Sequence, residues 1–239
     1  MNMPISIPQL PKFSDTSKMP VGCKSWSLQA LETCAGSVGE DGELVDPCKI
    51  CYATGGFYLM PVVKEARAYN KQNWKRDDWE DNMVMVIERL PLFRWFDSGD
   101  CYSLKLAKKI RNVMMRTPNT KHWFPTRQYK FDKFKEVLHE MESLCNVVVR
   151  YSSDSITGEF VDGPSSSTII PYVDTPTTAT VCHAYSRGGK CGDCRDCWDK
   201  SIKVIAYPAH GHKAGKLIKM REVSLSKLRE AGIIGREVA

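Results

Sequence analysis

The chain has 239 residues, 42% hydrophobic and 26% charged, with a net charge of +6, proportions of an ordinary water-exposed globular protein. No apolar run approaches the roughly 18 residues of a membrane span, and the opening stretch MNMPISIPQLPKFSDTSKMP lacks the basic start and apolar core of a secretory leader. Ten cysteines in such a chain are expected to be reduced thiols or metal ligands in the cytoplasm, not a disulfide framework.

In chain order, residues 1–20 read as an irregular, proline-punctuated arm. Cys34 follows, then Cys48-Lys49-Ile50-Cys51, then Tyr52-Ala53-Thr54-Gly55-Gly56. Gly55 and Gly56 would let the backbone approach a cluster or cofactor closely. Residues 60–74 and 79–90 read as helices, the second with Met83, Val86, Ile87 and Leu90 on one face. Leu92 to Phe96 reads as a short strand ending in Asp97-Ser98-Gly99-Asp100. Ser103 is placed to cap a helix from Leu104 to Met115. His122 to Phe124 reads as a strand ending in Pro125-Thr126-Arg127, residues 131–143 as a helix, and Asn146 to Tyr151 as a β-branched strand ending in Ser152-Ser153-Asp154. The Gly-, Pro-, Ser- and Thr-rich stretch 157–178 reads as a loop or hairpin. Two more strands are expected at Ala179 to Cys182 and Lys203 to Tyr207. The tail, from Leu225 to Ala231 and ended by Gly232, reads as a docking helix.

Strands alternating with helices imply a parallel sheet. The expected class is α/β, a partial (βα) barrel of residues 21–180 that holds the first metal site. A cysteine-rich metal-binding lobe with the last strand (181–222) and a C-terminal helix (223–239) follow. In such folds ligands bind at the carboxyl ends of strands. Ser98, Asp100, Thr126, Arg127, Ser153 and Asp154 all fall there. Asp100 and Asp154 are candidate acid–base groups and Asp97 a weaker one. Arg127 suits a phosphate or carboxylate. Trp74, Trp79, Trp95 and Trp123 are expected to be packing residues.

Seven of the cysteines carry ligand spacing. Cys34, Cys48 and Cys51 would hold a cluster with one iron left open, or a structural zinc with Cys23 as fourth ligand. Cys182, Cys191, Cys194 and Cys197 read C-x8-C-x2-C-x2-C. This suits an iron–sulfur cluster, or zinc at Cys191, Cys194 and Cys197 with Cys182 or His210. Trp198 beside them could shield a metal from water. Cys23, Cys101 and Cys145 read as ordinary thiols, with Cys145 in the core. The stretch Cys182–Arg221 carries the whole +6 excess. That favours a nucleotide or nucleic-acid partner, or else offsets the negative charge of metal-bound thiolates.

The segments CKICYATGGFY, FRWFDSGDCYS and KHWFPTRQY, in that order, resemble a family of phage proteins, the gene product 88 family, over roughly residues 20–155. The same motifs resemble a divergent radical S-adenosylmethionine enzyme. That resemblance implies a [4Fe–4S] cluster on Cys34, Cys48 and Cys51, and S-adenosylmethionine held by the Ser98-Gly99-Asp100 turn. It also implies an external electron donor, Arg127 and Asp154 facing substrate, and the host cytoplasm as location for a phage-encoded chain. Two other readings stand beside it. One is a zinc-containing barrel transglycosylase exchanging a guanine-type base in DNA or tRNA, using Asp97, Asp100 and Asp154. The other is a zinc-dependent nucleic-acid-binding module without catalysis.

Overall fold

The computed structural model describes residues 9–15 and 17–230. Eight strands form one sheet in the order β1-β2-β3-β4-β5-β6-β8-β7. They are β1 (Phe13–Ser14), β2 (Cys23–Trp26), β3 (Leu92–Trp95), β4 (Lys121–Thr126), β5 (Val147–Ser152), β6 (Ser166–Ile170), β7 (Thr180–Val181) and β8 (Val204–Pro208). Only β1 is antiparallel to its neighbour; every other pairing is parallel. From β2 to β6 chain order equals spatial order, and β1 and β7 form the two edges. Six α-helices accompany the sheet: α1 (Asp46–Lys49), α2 (Pro61–Asn73), α3 (Trp79–Ile87), α4 (Leu104–Arg116), α5 (Asp132–Ser143) and α6 (His212–Glu230). Among the described residues no helix is long and apolar enough to cross a membrane.

The period of two in the strands separates the two faces. Trp26, Phe93, Trp95, Phe124, Val147 and Val149 join Met83, Ile87, Leu106, Ile110, Val113, Phe134, Leu138 and Met141 of the helices in the main core. The alternate residues Cys23, Leu92 and Trp123 form a smaller cluster on the opposite face, closed by Trp198. Trp74, Trp79, Trp95 and Trp123 are all buried, as expected of packing residues.

Within the main core one polar chain is fully paired. The Trp95 indole donates to His122 Nδ1 (3.2 Å), so His122 Nε2 carries the proton and donates to the Thr117 hydroxyl (2.9 Å). That hydroxyl in turn donates to the Val113 carbonyl (2.8 Å). A neutral imidazole satisfies this chain and a cation does not. Burial holds the His122 pKa down at about 3.

On the opposite face Arg150, fully buried, fixes the cysteine-rich stretch to the sheet. Its guanidinium donates to the carbonyls of Asp196 (2.8 Å), Asp199 (3.0 Å), Ile202 (2.9 Å), Cys197 (3.3 Å) and Ser166 (3.4 Å). Segment 182–203, between β7 and β8 of the same sheet, is thereby packed against the strands.

Three expectations change. The stretch 157–178 contains β6, almost wholly buried. Its Ser166 and Thr168 hydroxyls donate to the Val161 and Glu159 carbonyls of the preceding loop, so polar residues that read as loop are satisfied inside. Cys145, expected in the core, is exposed. The inward position at that turn belongs to Asn146, whose amide donates to the carbonyls of Met114, Thr117 and Thr120. The terminal helix already starts at His212; its expected end at Gly232 lies outside the described residues. Strands β1 and β2 were not expected, being short and without clear alternation.

Because the folded pKa of His122 lies below that of a free imidazole, its stabilising contribution is complete above pH 6.5. It is lost as the pH falls toward 3. Between pH 7 and 4.5 the wild type should lose about 2–3 kcal/mol more stability than His122→Gln, measured by urea unfolding at both pH values. Arg150→Met should cost about 3–5 kcal/mol, because several buried carbonyls lose their donor. Hydrogen exchange should accelerate over 194–203 and leave α4 and α5 protected.

Candidate functional site: two cysteine groups on one sheet

The first group is built on the loop after β2. That loop is clamped by the turn after β3. Phe96 adopts a left-handed backbone (φ 55°) while its N–H donates to Trp26 O (2.8 Å), which turns the chain sharply into Asp97-Ser98-Gly99-Asp100. The Ser98 hydroxyl donates to Leu28 O (2.7 Å), and the Leu28 N–H donates to Ser98 O (3.1 Å). Gly99 (φ 77°) is required twice over. A Cβ there would also lie 2.7 Å from Thr33 Oγ1 and 2.8 Å from Leu28 O. The Asp100 N–H donates to Thr33 Oγ1 (3.3 Å). Leu31, one turn before Cys34, is the other non-glycine residue with positive φ among those described (64°). Such conformations each cost on the order of 1–3 kcal/mol and persist where the surroundings hold them.

Asp100 is the junction between strands. Its carboxylate accepts from the Thr126 hydroxyl (2.8 Å), the Arg127 N–H (2.9 Å) and the Cys101 N–H (2.7 Å). Burial raises its pKa, against the pull of these bonds. Arg127 then donates to Asp154 Oδ1 (3.1 Å) and Ser153 O (2.6 Å). Lys130 pairs with the other Asp154 oxygen and donates to Gly36 O (3.0 Å). Gly36 lets the Cys34 loop lie on Arg127, since a Cβ there would be 2.5 Å from Arg127 Cβ. Thus Asp100, Arg127 and Asp154, from three strand ends, converge beside the first cysteines.

Cys48 and Cys51 come from the short α1, which begins with Asp46-Pro47, and the turn after it. The Cys51 N–H donates to Cys48 O (3.3 Å). Burial pushes the Cys34 thiol up to about 12; Asp100 adds to the rise, and Cys48 and Cys51 add less. Burial also raises Cys48, while Arg127 and Lys130 pull it down. The three thiols therefore lie within electrostatic reach of one another, and Cys34 and Cys48 stay protonated unless a metal takes them. Gly55 and Gly56 follow and border open space.

The second group also gathers. The Cys182 N–H donates to Ala206 O (2.8 Å) and the Cys191 N–H to Lys18 O (2.8 Å). Cys197 Sγ lies 3.3 Å from the Tyr207 hydroxyl. Burial raises Cys191, with Cys182 and Cys194 adding to the effect, and pushes Cys197 up to about 11. Trp198 is buried against Trp123 and donates to Phe93 O (3.0 Å). His210 is exposed and packs on Tyr185 at 3.9 Å between ring centroids. Among the described residues, no three His, Cys, Asp or Glu side chains converge tightly enough to hold a single metal ion. One tetrahedral zinc needs sulfurs about 3.8 Å apart. A cluster places each thiolate on a different iron and accepts a wider triangle.

Between the groups Asp97 lies beside Arg94, Tyr52 and Tyr58, three side chains that the motifs did not single out for a role. Arg94 donates to the Tyr52 hydroxyl (3.1 Å), which donates to the Asp97 carbonyl (2.5 Å). Tyr58 donates to the Asp97 carboxylate (3.3 Å), which also takes the Ser27 hydroxyl. An arginine in the otherwise aromatic strand LFRW and a tyrosine directly after Cys51 were the available signals.

A family model described as gene product 88 matches residues 9–200. No curated protein matches the chain, and no solved structure matches it.

Asp100→Asn replaces one acceptor oxygen with a donor facing N–H groups. It should cost about 1–3 kcal/mol and increase the rate at which Cys34 is alkylated. Thermal melts and peptide mapping of the alkylated thiols measure both.

Proposed function

Because the chain belongs to the gene product 88 family, and because its cysteines gather at two places on one parallel sheet, we propose an iron–sulfur enzyme of the radical S-adenosylmethionine type, phage-encoded and acting on a nucleotide or nucleic acid. The observation that carries this reading is the placement of Cys34, Cys48 and Cys51. They stand on a loop after the first parallel strand, beside the carboxyl ends of the next three. Sequential parallel strands with open edges support the partial-barrel description of the fold.

The donor set suits a cluster in kind: three free, half-buried thiols with Arg127 and Lys130 beside Cys48 to offset thiolate charge. Cys34, Cys48 and Cys51 would hold it. When bound, such a cluster supplies an electron and an open iron for the reductive cleavage of S-adenosylmethionine. The chain's own residues do the positioning. Ser98, Gly99 and Asp100 hold the Cys34 loop, and the side chains of Ser98 and Asp100 are spent on that task. Gly55 and Gly56 leave room beside Cys51. Arg127 and Asp154, bonded to each other, form a fixed polar wall at the later strand ends. Cys182, Cys191, Cys194 and Cys197 are read as a second cluster or a zinc site. The transglycosylase reading, with Asp97, Asp100 and Asp154, leaves the gathering of Cys34, Cys48 and Cys51 without a role, so the iron–sulfur reading is preferred.

Protein purified without oxygen should contain four to eight irons per chain, as expected for one or two cubane clusters, with a brown absorbance that dithionite bleaches. Cys48→Ala should lose roughly one cluster's iron and all S-adenosylmethionine cleavage while circular dichroism stays unchanged. Zinc alone, with no colour, would sink the proposal.

A further inference from the structure

Arg94 and Arg150 lie on the same face of the sheet, on β3 and β5, and their surroundings differ in one respect. The Arg150 guanidinium is met by carbonyls on every side. The Arg94 guanidinium makes one side-chain hydrogen bond, from Nη2 to the Tyr52 hydroxyl (3.1 Å). Its Nε is enclosed with no acceptor. Among the described residues no carboxylate comes within ion-pairing distance of it. Tyr52 and, from beyond ion-pairing distance, the Asp97 carboxylate stabilise the cation, yet a guanidinium fork with N–H groups left free is the usual partner of phosphate or carboxylate. Trp123 lies under the guanidinium, 4.5 Å from its ring centroid, and fixes the plane of the fork.

A second cation faces the same space. Lys18 has no ion pair among the described residues; its ammonium stands 4.8 Å from the centroid of the Tyr185 ring. Its backbone carbonyl accepts the Cys191 N–H (2.8 Å), and the Arg94 guanidinium lies nearby. Two partly buried cations repelling one another form a site that an anion between them would relieve. The rim is aromatic: Tyr52 packs on Tyr58 and Tyr185 on His210, and Tyr52 and Tyr185 are half-exposed. Exposed aromatic faces beside cations accept a base beside its phosphate.

We propose that Arg94 and Lys18 bind the phosphate of a nucleotide between the two cysteine groups, with Tyr52 and Tyr185 offering faces for its base. The nucleotide assignment rests on the proposed function; the anion site itself does not. The other sources of negative charge nearby are the Asp97 carboxylate and, once a metal holds them, the thiolates of Cys191 and Cys197, and the test separates a bound anion from the metal-held thiolates.

Anaerobically purified full-length protein is titrated by calorimetry with inorganic phosphate, adenosine monophosphate and cytidine monophosphate, and its metal content is measured on the same samples. Wild type should bind a monophosphate more tightly than inorganic phosphate. Arg94→Gln and Lys18→Gln should each weaken binding roughly tenfold or more with metal content unchanged. Arg94→Lys, which keeps charge but not the fork, should fall between and serves if Arg94→Gln fails to fold. Absence of monophosphate binding by wild type, or full binding by Arg94→Gln, would overturn the site. Loss of metal in step with loss of binding would overturn it too, making Arg94 a counter-charge to the thiolates. Equal affinity for inorganic phosphate and both nucleotides would overturn the nucleotide assignment. Because iron and ligand are read separately, failure of the iron–sulfur reading shows in the metal analysis alone.

Discussion

The burial of Arg150 is the constraint on which the layout of the protein turns. A guanidinium cannot lose its proton inside a protein, so it must be met by acceptors. Here those acceptors are backbone carbonyls of the segment before β8. The segment could not leave without stranding both the charge and the carbonyls. One side chain on β5 therefore fixes where Cys191, Cys194 and Cys197 lie. Trp198 completes the attachment by stacking edge-on against Trp123 and bonding to β3.

The first cysteine group is held by different means. Carboxylate and hydroxyl groups bridge three successive strand ends. Asp100 takes the Cys101 N–H within its own turn, and the Thr126 hydroxyl and Arg127 N–H that join the end of β4 to the turn after β3. Gly36 and Gly99 are the two points where the backbone comes too close for a side chain. Residues that look catalytic by position thus serve first as scaffolding. The proposed function assigns the chemistry to the thiols that the scaffold presents.

Electrostatics ties the two groups into one region. Tyr52, next to Cys51, touches Arg94, and Arg94 influences Cys23, Cys191 and Cys197. Arg94 thus lies between the two groups of thiols and acts on both neighbourhoods.

The sequence by itself determined the helices α2 to α5 and the strands β3 to β5. Their apolar positions repeat at the periods of helix and strand, although Ser103 sits at the start of α4 without a side-chain capping bond. It also determined the two cysteine groups and the polar strand ends, because ligand spacing and Ser/Asp-rich strand termini are local patterns. The tertiary structure decided the rest. β6 is a strand because its serines and threonine find carbonyls in a loop that precedes them, which no local pattern records. Cys145 is outside because Asn146 has three carbonyls to reach within the fold. Ser98 and Asp100 are scaffolding because the loop bearing Thr33 and the end of β4 close upon them. Arg94 and Arg150 look alike in sequence. Only the packing of the segment before β8 surrounds one with carbonyls and leaves the other with free donors.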